Sequence, residues 1–152
     1  MDSIDRAILY HLQRQARIAN NELAELVGLS PSPCLRRVRN LETSGVITGY
    51  TALLDRRLVG CDYEPIVWVT LLTVTRDSLL EFEDAIQMIP EITEAARMMG
   101  QPDYLLRVVC SDAEGFETLY IDQLANLPHV QTLTSQLAMK VVKRTTALPI
   151  EH

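Results

Sequence analysis

The chain has 152 residues, 47% of them hydrophobic, and 14 basic against 20 acidic side chains give a formal net charge of −6. That length buries one sizeable core or two small ones. The balanced composition excludes a fibrous or low-complexity chain, and the longest apolar run, around Ile66 to Val74, is broken by threonines and too short to span a bilayer. The start Met1-Asp2-Ser3-Ile4-Asp5 is acidic where a secretory signal is basic and then apolar, so a cytoplasmic protein without a membrane partner is expected. Three cysteines, Cys34, Cys61 and Cys110, cannot all pair within one chain and lack the spacing of metal or redox motifs. They read as reduced, buried thiols, and no metal or cofactor is expected.

The charge is unevenly spread. Residues 1–60 carry eight arginines against six acids, a balance of +2, and residues 61–152 carry six basic groups against fourteen acids, a balance of −8. Such asymmetry predicts two domains, 1–60 and 61–152, of which only the first is suited to face phosphate.

Asp2 is placed to cap a first helix from about Ser3 to Gln15, with Ile4, Ile8, Leu9 and Leu12 inward. Asn20 or Asn21 caps a second, Glu22 to Val27, which Gly28 ends. Ser30 then N-caps a third helix in which Pro31 and Pro33 cost little, because first-turn amides have no intrahelical partner. Cys34, Val38 and Leu41 form an apolar stripe, and Arg36, Arg37, Arg39 and Asn40 lie off it. A small Ala24, a turning Gly28 and a corner-plugging Leu29 at these offsets make a helix-turn-helix, whose second helix enters the major groove. Ser32, Arg36 and Arg37 are expected to face the groove, and Arg39 and Asn40 the backbone; Ser30 is read first as a cap. Residues 46–60 form an extended linker, with Gly49 as a turn or bulge.

From Tyr63 the pattern changes. Strands are expected at Ile66 to Thr75, Ile92 to Met99, Tyr104 to Val109 and Val130 to Val142. Asp77 or Ser78 caps a helix that ends by Pro90, Ser111 or Asp112 caps another that ends by Pro128, and the tail after Lys143 is expected to be loosely held. The sum is an α+β chain: a three-helix, winged-type helix-turn-helix domain followed by a ferredoxin-like βαββαβ domain. Such a sheet has helices on one face only, so a second copy is the simplest cover for the other. The loop Gly100-Gln101-Pro102-Asp103 has two readings: a glycine that lets backbone approach a small ligand beside a carboxylate, or a tight connection whose aspartate caps its own turn. His11, His129 and His152 have no partner at ligand spacing, and no phosphate-cradling loop or nucleophile elbow occurs, so an enzyme is not expected.

The chain resembles the Lrp/AsnC, or feast/famine, family of transcription regulators. The matching residues are Ile4-Asp5-Arg6-Ala7-Ile8-Leu9, Gly28-Leu29-Ser30 with Cys34 to Glu42, Gly45-Val46-Ile47, Gly49-Tyr50, Gly100, Asp103-Tyr104-Leu105-Leu106 and Leu127-Pro128. The resemblance implies a DNA-binding domain linked to a ferredoxin-like effector domain, dimers that gather into octamers, and an amino-acid effector. It makes Gly100, Gln101, Asp103 and Tyr104 ligand-loop residues, joined by Thr134 and Ser135 of the last strand. The chain departs from the family pattern with Leu133 and Ser135 at a usual threonine pair, and with His129 at a usual glycine. The expected function is a sequence-specific regulator on inverted-repeat, double-stranded DNA whose affinity or assembly an amino acid modulates. The alternative is an architectural DNA-binding protein that ignores small molecules.

Overall fold

In the computed structural model, which describes residues 1–151, the first helices are α1 (Ser3–Leu12), α2 (Asn20–Leu26) and α3 (Pro31–Thr43). A reciprocal capping box starts α1: the Asp2 carboxylate accepts the Asp5 N–H at 2.9 Å and Asp5 accepts that of Asp2 at 3.2 Å. The helix stops at Leu12, three residues before the expected Gln15, because the N–H groups of Arg14 and Gln15 both turn back to the His11 carbonyl. Neither asparagine caps α2. Ala19 holds the N-cap without a side-chain bond, and the Asn20 amide donates instead to the Pro31 carbonyl at 2.9 Å, tying the start of α2 to the start of α3.

Gly28 makes the turn at φ +69°, a conformation glycine adopts cheaply, and the Leu29 N–H reaches back to the Ala24 carbonyl at 2.8 Å. Ile8, Leu9, Leu12, Leu23, Ala24, Cys34 and Leu41 form one buried core, with Leu29 and Val38 packed against it. Beyond α3, residues 46–55 have no sheet partner among the described residues, so the extended linker is not a strand and Gly49 is not a bulge. Tyr50 pins this stretch to the end of α3 by donating to Glu42 at 2.9 Å.

The second core is built on β1 (Pro65–Leu71), α4 (Arg76–Gln87), β2 (Ile92–Arg97), β3 (Tyr104–Val108), α5 (Ala113–Asp122) and β4 (Val130–Leu137). The strands form one antiparallel sheet in the order β2-β3-β1-β4, the ferredoxin-like arrangement. Alternation sends Val67, Val69 and Leu71 of β1 and Tyr104, Leu106 and Val108 of β3 against Phe82, Ile86, Leu119 and Leu124. Thr75, rather than Asp77 or Ser78, is the cap of α4: Thr75 and Ser78 cap each other's amides, because the box needs the hydroxyl three residues ahead of its partner. Asp112 caps α5 through the Gly115 N–H at 2.7 Å.

The domain limits differ from the expected 60/61 break. Close contacts group Met1–Leu53 with residues 142–151, and Leu54–Val141 as a second unit. β4 ends at Leu137, not Val142, and the tail beyond Lys143 is not loose: Leu148 bonds to Gln13 and Ile150 packs on the first core.

Candidate DNA-binding face and effector pocket

The recognition helix α3 has two sides. Cys34 and Leu41 are buried beneath it, and burial pushes the Cys34 thiol pKa up, so this cysteine is core. Ser32, Arg36, Arg39 and Asn40 are exposed and, at spacings of three and four, share the other side. Ser30 is the N-cap residue, but its hydroxyl makes no capping bond. The amide such a hydroxyl most often takes is that of the third helical residue, here Pro33, which has none. Ser30 is therefore exposed beside Ser32 rather than occupied as a cap.

Arg37 corrects the expectation. Its Nη1 lies 2.8 Å from Asp2 Oδ2 and 2.8 Å from Asp5 Oδ1, so this guanidinium clamps α3 to the start of α1 instead of facing a groove. The carboxylates raise the Arg37 pKa further, and the Asp5 N–H with Arg37 holds the Asp2 carboxyl below its ordinary range. The pairing follows from register: Arg37 sits beside Val38, at the edge of the stripe that packs on α1. The sequence carried the signal in the Asp2/Asp5 spacing that also forms the capping box.

The second unit has a hollow of about 530 Å³ on the sheet face opposite the helices, lined by Trp68, Thr70, Gln101, Pro102, Thr134 and Gln136. Register explains the lining. Trp68 pairs with Thr134 and Ile66 with Gln136, so these side chains share the face that Val67 and Val69 leave, and Trp68 Nε1 donates to Gln136 Oε1 at 3.0 Å. Of the expected effector residues, Gln101 and Thr134 line the hollow. Ser135 pairs with Val67 and so belongs to the opposite face from Thr134.

Asp103 and Tyr104 have structural partners. The Asp103 carboxylate accepts the Leu71 N–H at 2.8 Å, and its own N–H donates to the Val69 carbonyl at 2.8 Å. It thus ties the loop to β1 rather than capping its own turn. Gly100 turns the loop at φ +105°. Tyr104 is 2% exposed, and its hydroxyl donates to Glu83 Oε1 at 2.7 Å, with Arg97 on the same carboxylate. Burial first, then Glu83, pushes its pKa up to about 12, so it stays a neutral donor. Pro102 lies in the expected ligand loop, whereas Trp68, Thr70 and Gln136 carry no motif that marks them in the sequence. Trp68 and Thr70 were findable: they are the alternate positions of a strand whose other positions are all aliphatic.

Two family models match the chain: a winged helix-turn-helix DNA-binding domain over residues 1–48 and an Lrp/AsnC ligand-binding domain over residues 64–148. The chain belongs to the Lrp/AsnC family of transcriptional regulators. Relatives within the family include the leucine-responsive regulatory protein of Escherichia coli, 40% identical over 99% of this chain and 92% of its own length. The transcriptional regulator AzlB of Bacillus subtilis is 32% identical over 100% of this chain and 97% of its own. Among solved structures, a transcriptional regulator from Neisseria meningitidis in complex with L-Met has a TM-score of 0.94 and 35% identity, covering 100% of this chain and 98% of that one. An AsnC-family regulator from Agrobacterium tumefaciens has a TM-score of 0.92 and 37% identity, covering 98% and 97%. This Lrp/AsnC chain is therefore a DNA-binding regulator and not an enzyme.

His129 stands where the resemblance expects a glycine. His129 takes φ +61°, the backbone shape that favours glycine, and its ring meets Glu81 at 2.7 Å. Among the described residues no helix is long and apolar enough to cross a membrane, and no group of side chains could hold a metal ion.

Proposed function

We propose that this regulator binds inverted-repeat DNA in the cytoplasm as a homodimer that assembles further toward an octamer, and that an apolar amino acid in the sheet-face hollow modulates its DNA affinity or assembly. The observation that carries the DNA half is the exposed set Ser30, Ser32, Arg36, Arg39 and Asn40 on the second helix of a helix-turn-helix. Arginine reads guanine O6 and N7 in two-pronged fashion, serine and asparagine reach bases or phosphates, and a dimer spaces two such helices about 34–36 Å apart. The hollow supports the effector half. Trp68 and Pro102 offer apolar walls to a side chain, while Gln101, Thr134 and Gln136 offer hydrogen bonds to the ammonium and carboxylate ends. The likeness to a regulator solved with L-Met favours the same ligand class.

Gel-shift binding to the DNA upstream of the gene for this protein tests the first half. Arg36→Ala should lose about 1–3 kcal/mol of discrimination between that DNA and a scrambled duplex. Equal discrimination by the variant and the wild type overturns the assignment. A panel of amino acids in thermal melts tests the second: apolar ones should raise the Tm of the wild type and fail to raise that of Trp68→Ala. If none shifts the wild type, the chain is an architectural binder instead.

A further inference from the structure

The first unit holds a cavity of its own. Its volume is about 690 Å³, against about 530 Å³ for the sheet-face hollow, and the described residues that line it all belong to Met1–Leu53 or to residues 142–151. Three segments wall it: the end of α1 with the turn after it, the stretch 46–53, and the tail 146–150. Two bonds join the first of these to the third, from Gln13 Nε2 to the Leu148 carbonyl at 2.9 Å and from the Leu148 N–H to Gln13 Oε1 at 2.8 Å. The inner wall is apolar, since Leu9 and Leu12 belong to the buried core and Ile47 and Ile150 pack against it. Leu53 and Leu148 line the cavity as well and are 79% and 66% exposed, so apolar surface is left in water that an occupant would cover.

The charge of the lining selects the occupant. The chain has 20 acidic side chains, yet none of the described residues that line this cavity is acidic and one, Arg14, is basic. Arg14 is held from its own helix: Nη1 donates to the Tyr10 carbonyl at 2.8 Å, and the guanidinium carbon lies 3.6 Å from the centre of the Tyr10 ring. Among the described residues no carboxylate pairs with it, which leaves its other N–H groups to take an anion in two-pronged fashion. A free amino acid suits this lining badly, because its ammonium would meet no carboxylate there. We propose that the cavity is a small-molecule site for an apolar monocarboxylate, an acid without an ammonium group, with its hydrocarbon body against Leu12 and Ile47 and its carboxylate on Arg14. The site lies apart from the sheet-face hollow and stands whether or not that hollow takes an amino acid. A bound acid touches α1, the stretch 46–53 and the tail together, so binding stabilises the helix-turn-helix unit.

The test uses the full chain, with sodium octanoate as the probe and titration calorimetry as the readout. Octanoate should bind, and shortening it toward butanoate should weaken binding about fourfold for each methylene lost. Octan-1-ol, which keeps the chain and loses the charge, should bind about tenfold more weakly, and octanoate should lose about tenfold on Arg14→Gln. Arg14 is exposed, so without ligand that variant should melt as the wild type does. Trp68→Ala should bind octanoate unchanged, which separates this site from the hollow. In methyl NMR spectra octanoate should shift the signals of Leu9, Leu12 and Ile47. Absence of binding, equal binding by Arg14→Gln, or shifts confined to the second unit overturns the site. Octanoate binding that is lost as the chain self-associates places a second copy in the cavity and overturns it too.

Discussion

Arg37 and Arg36 are neighbours of one residue type with opposite assignments, and helical geometry separates them. Consecutive helix residues diverge by about 100°, so Arg36 shares a side with Ser32 while Arg37 leans over α1. The clamp on Asp2 and Asp5 is part-exposed, with 30% of the Arg37 side chain accessible, which limits its value to the low range of surface pairs. Arg37→Met should weaken binding to every duplex alike, whereas Arg36→Ala should weaken discrimination; competition gel shifts distinguish them. The clamp also gives a pH signature. The folded-state pKa of Asp2 is depressed below its ordinary 3.8, so its contribution is present above that value and is lost as pH falls through the folded pKa. Melts should therefore show the Tm gap between wild type and Arg37→Met closing as pH drops below 3.8. At Tyr104 the hydroxyl is a structural donor to Glu83. Tyr104→Phe should cost about 1–2 kcal/mol in denaturant unfolding, since the acceptor is charged, and leave amino-acid binding intact.

At the scale of elements, the turns decide what the helices can present. Gly28 at φ +69° lets α3 leave α2 at the angle of a helix-turn-helix, and Gly28→Ala should destabilise the first unit by about 1 kcal/mol or more. His129 makes the converse case. It holds φ +61° with a side chain attached, just before β4, where its ring bonds to Glu81 and its carbonyl accepts the Leu72 N–H at 2.8 Å. His129→Gly should be stabilising or neutral by up to about 1 kcal/mol in urea unfolding, because relieved strain opposes the lost pair and the added chain entropy. The capping box of Thr75 and Ser78 shows why cap positions read from single residues slip: Asp77 and Ser78 are both good caps, but the helix starts one turn earlier, where Thr75 and Ser78 bond to each other's amides. Most elements were legible in the sequence because hydrophobic spacing is a local code. Their ends were less so, because α1 stops where Arg14 and Gln15 turn back to the His11 carbonyl and β4 stops opposite Pro65, where β1 begins, neither of which the spacing reveals.

At the scale of the whole molecule, charge and faces assign the roles. A net charge of −6 hides a first domain with an arginine-bearing helix and a second that is strongly acidic, so DNA affinity should fall steeply with salt and respond to first-domain arginines alone. The sheet covers one face with α4 and α5, and its other face carries Trp68 and the hollow. A partner copy over that face should make the Tm rise with protein concentration, which calorimetry across a hundredfold range would detect.

Local sequence pattern is enough to locate the two cores, the order of their elements and the helix that carries the exposed arginines. Each follows from periodicity, and periodicity acts over a few residues along the chain. Long-range packing alone brings Arg37 to Asp2 and Asp5, brings the Asp103 carboxylate to the Leu71 N–H of β1, parts Thr134 and Ser135 to opposite faces, and returns Leu148 to Gln13. Those outcomes depend on which distant groups arrive within about 3 Å of one another, and hydrogen bonds and ion pairs are decided at that distance. No spacing along one segment encodes it.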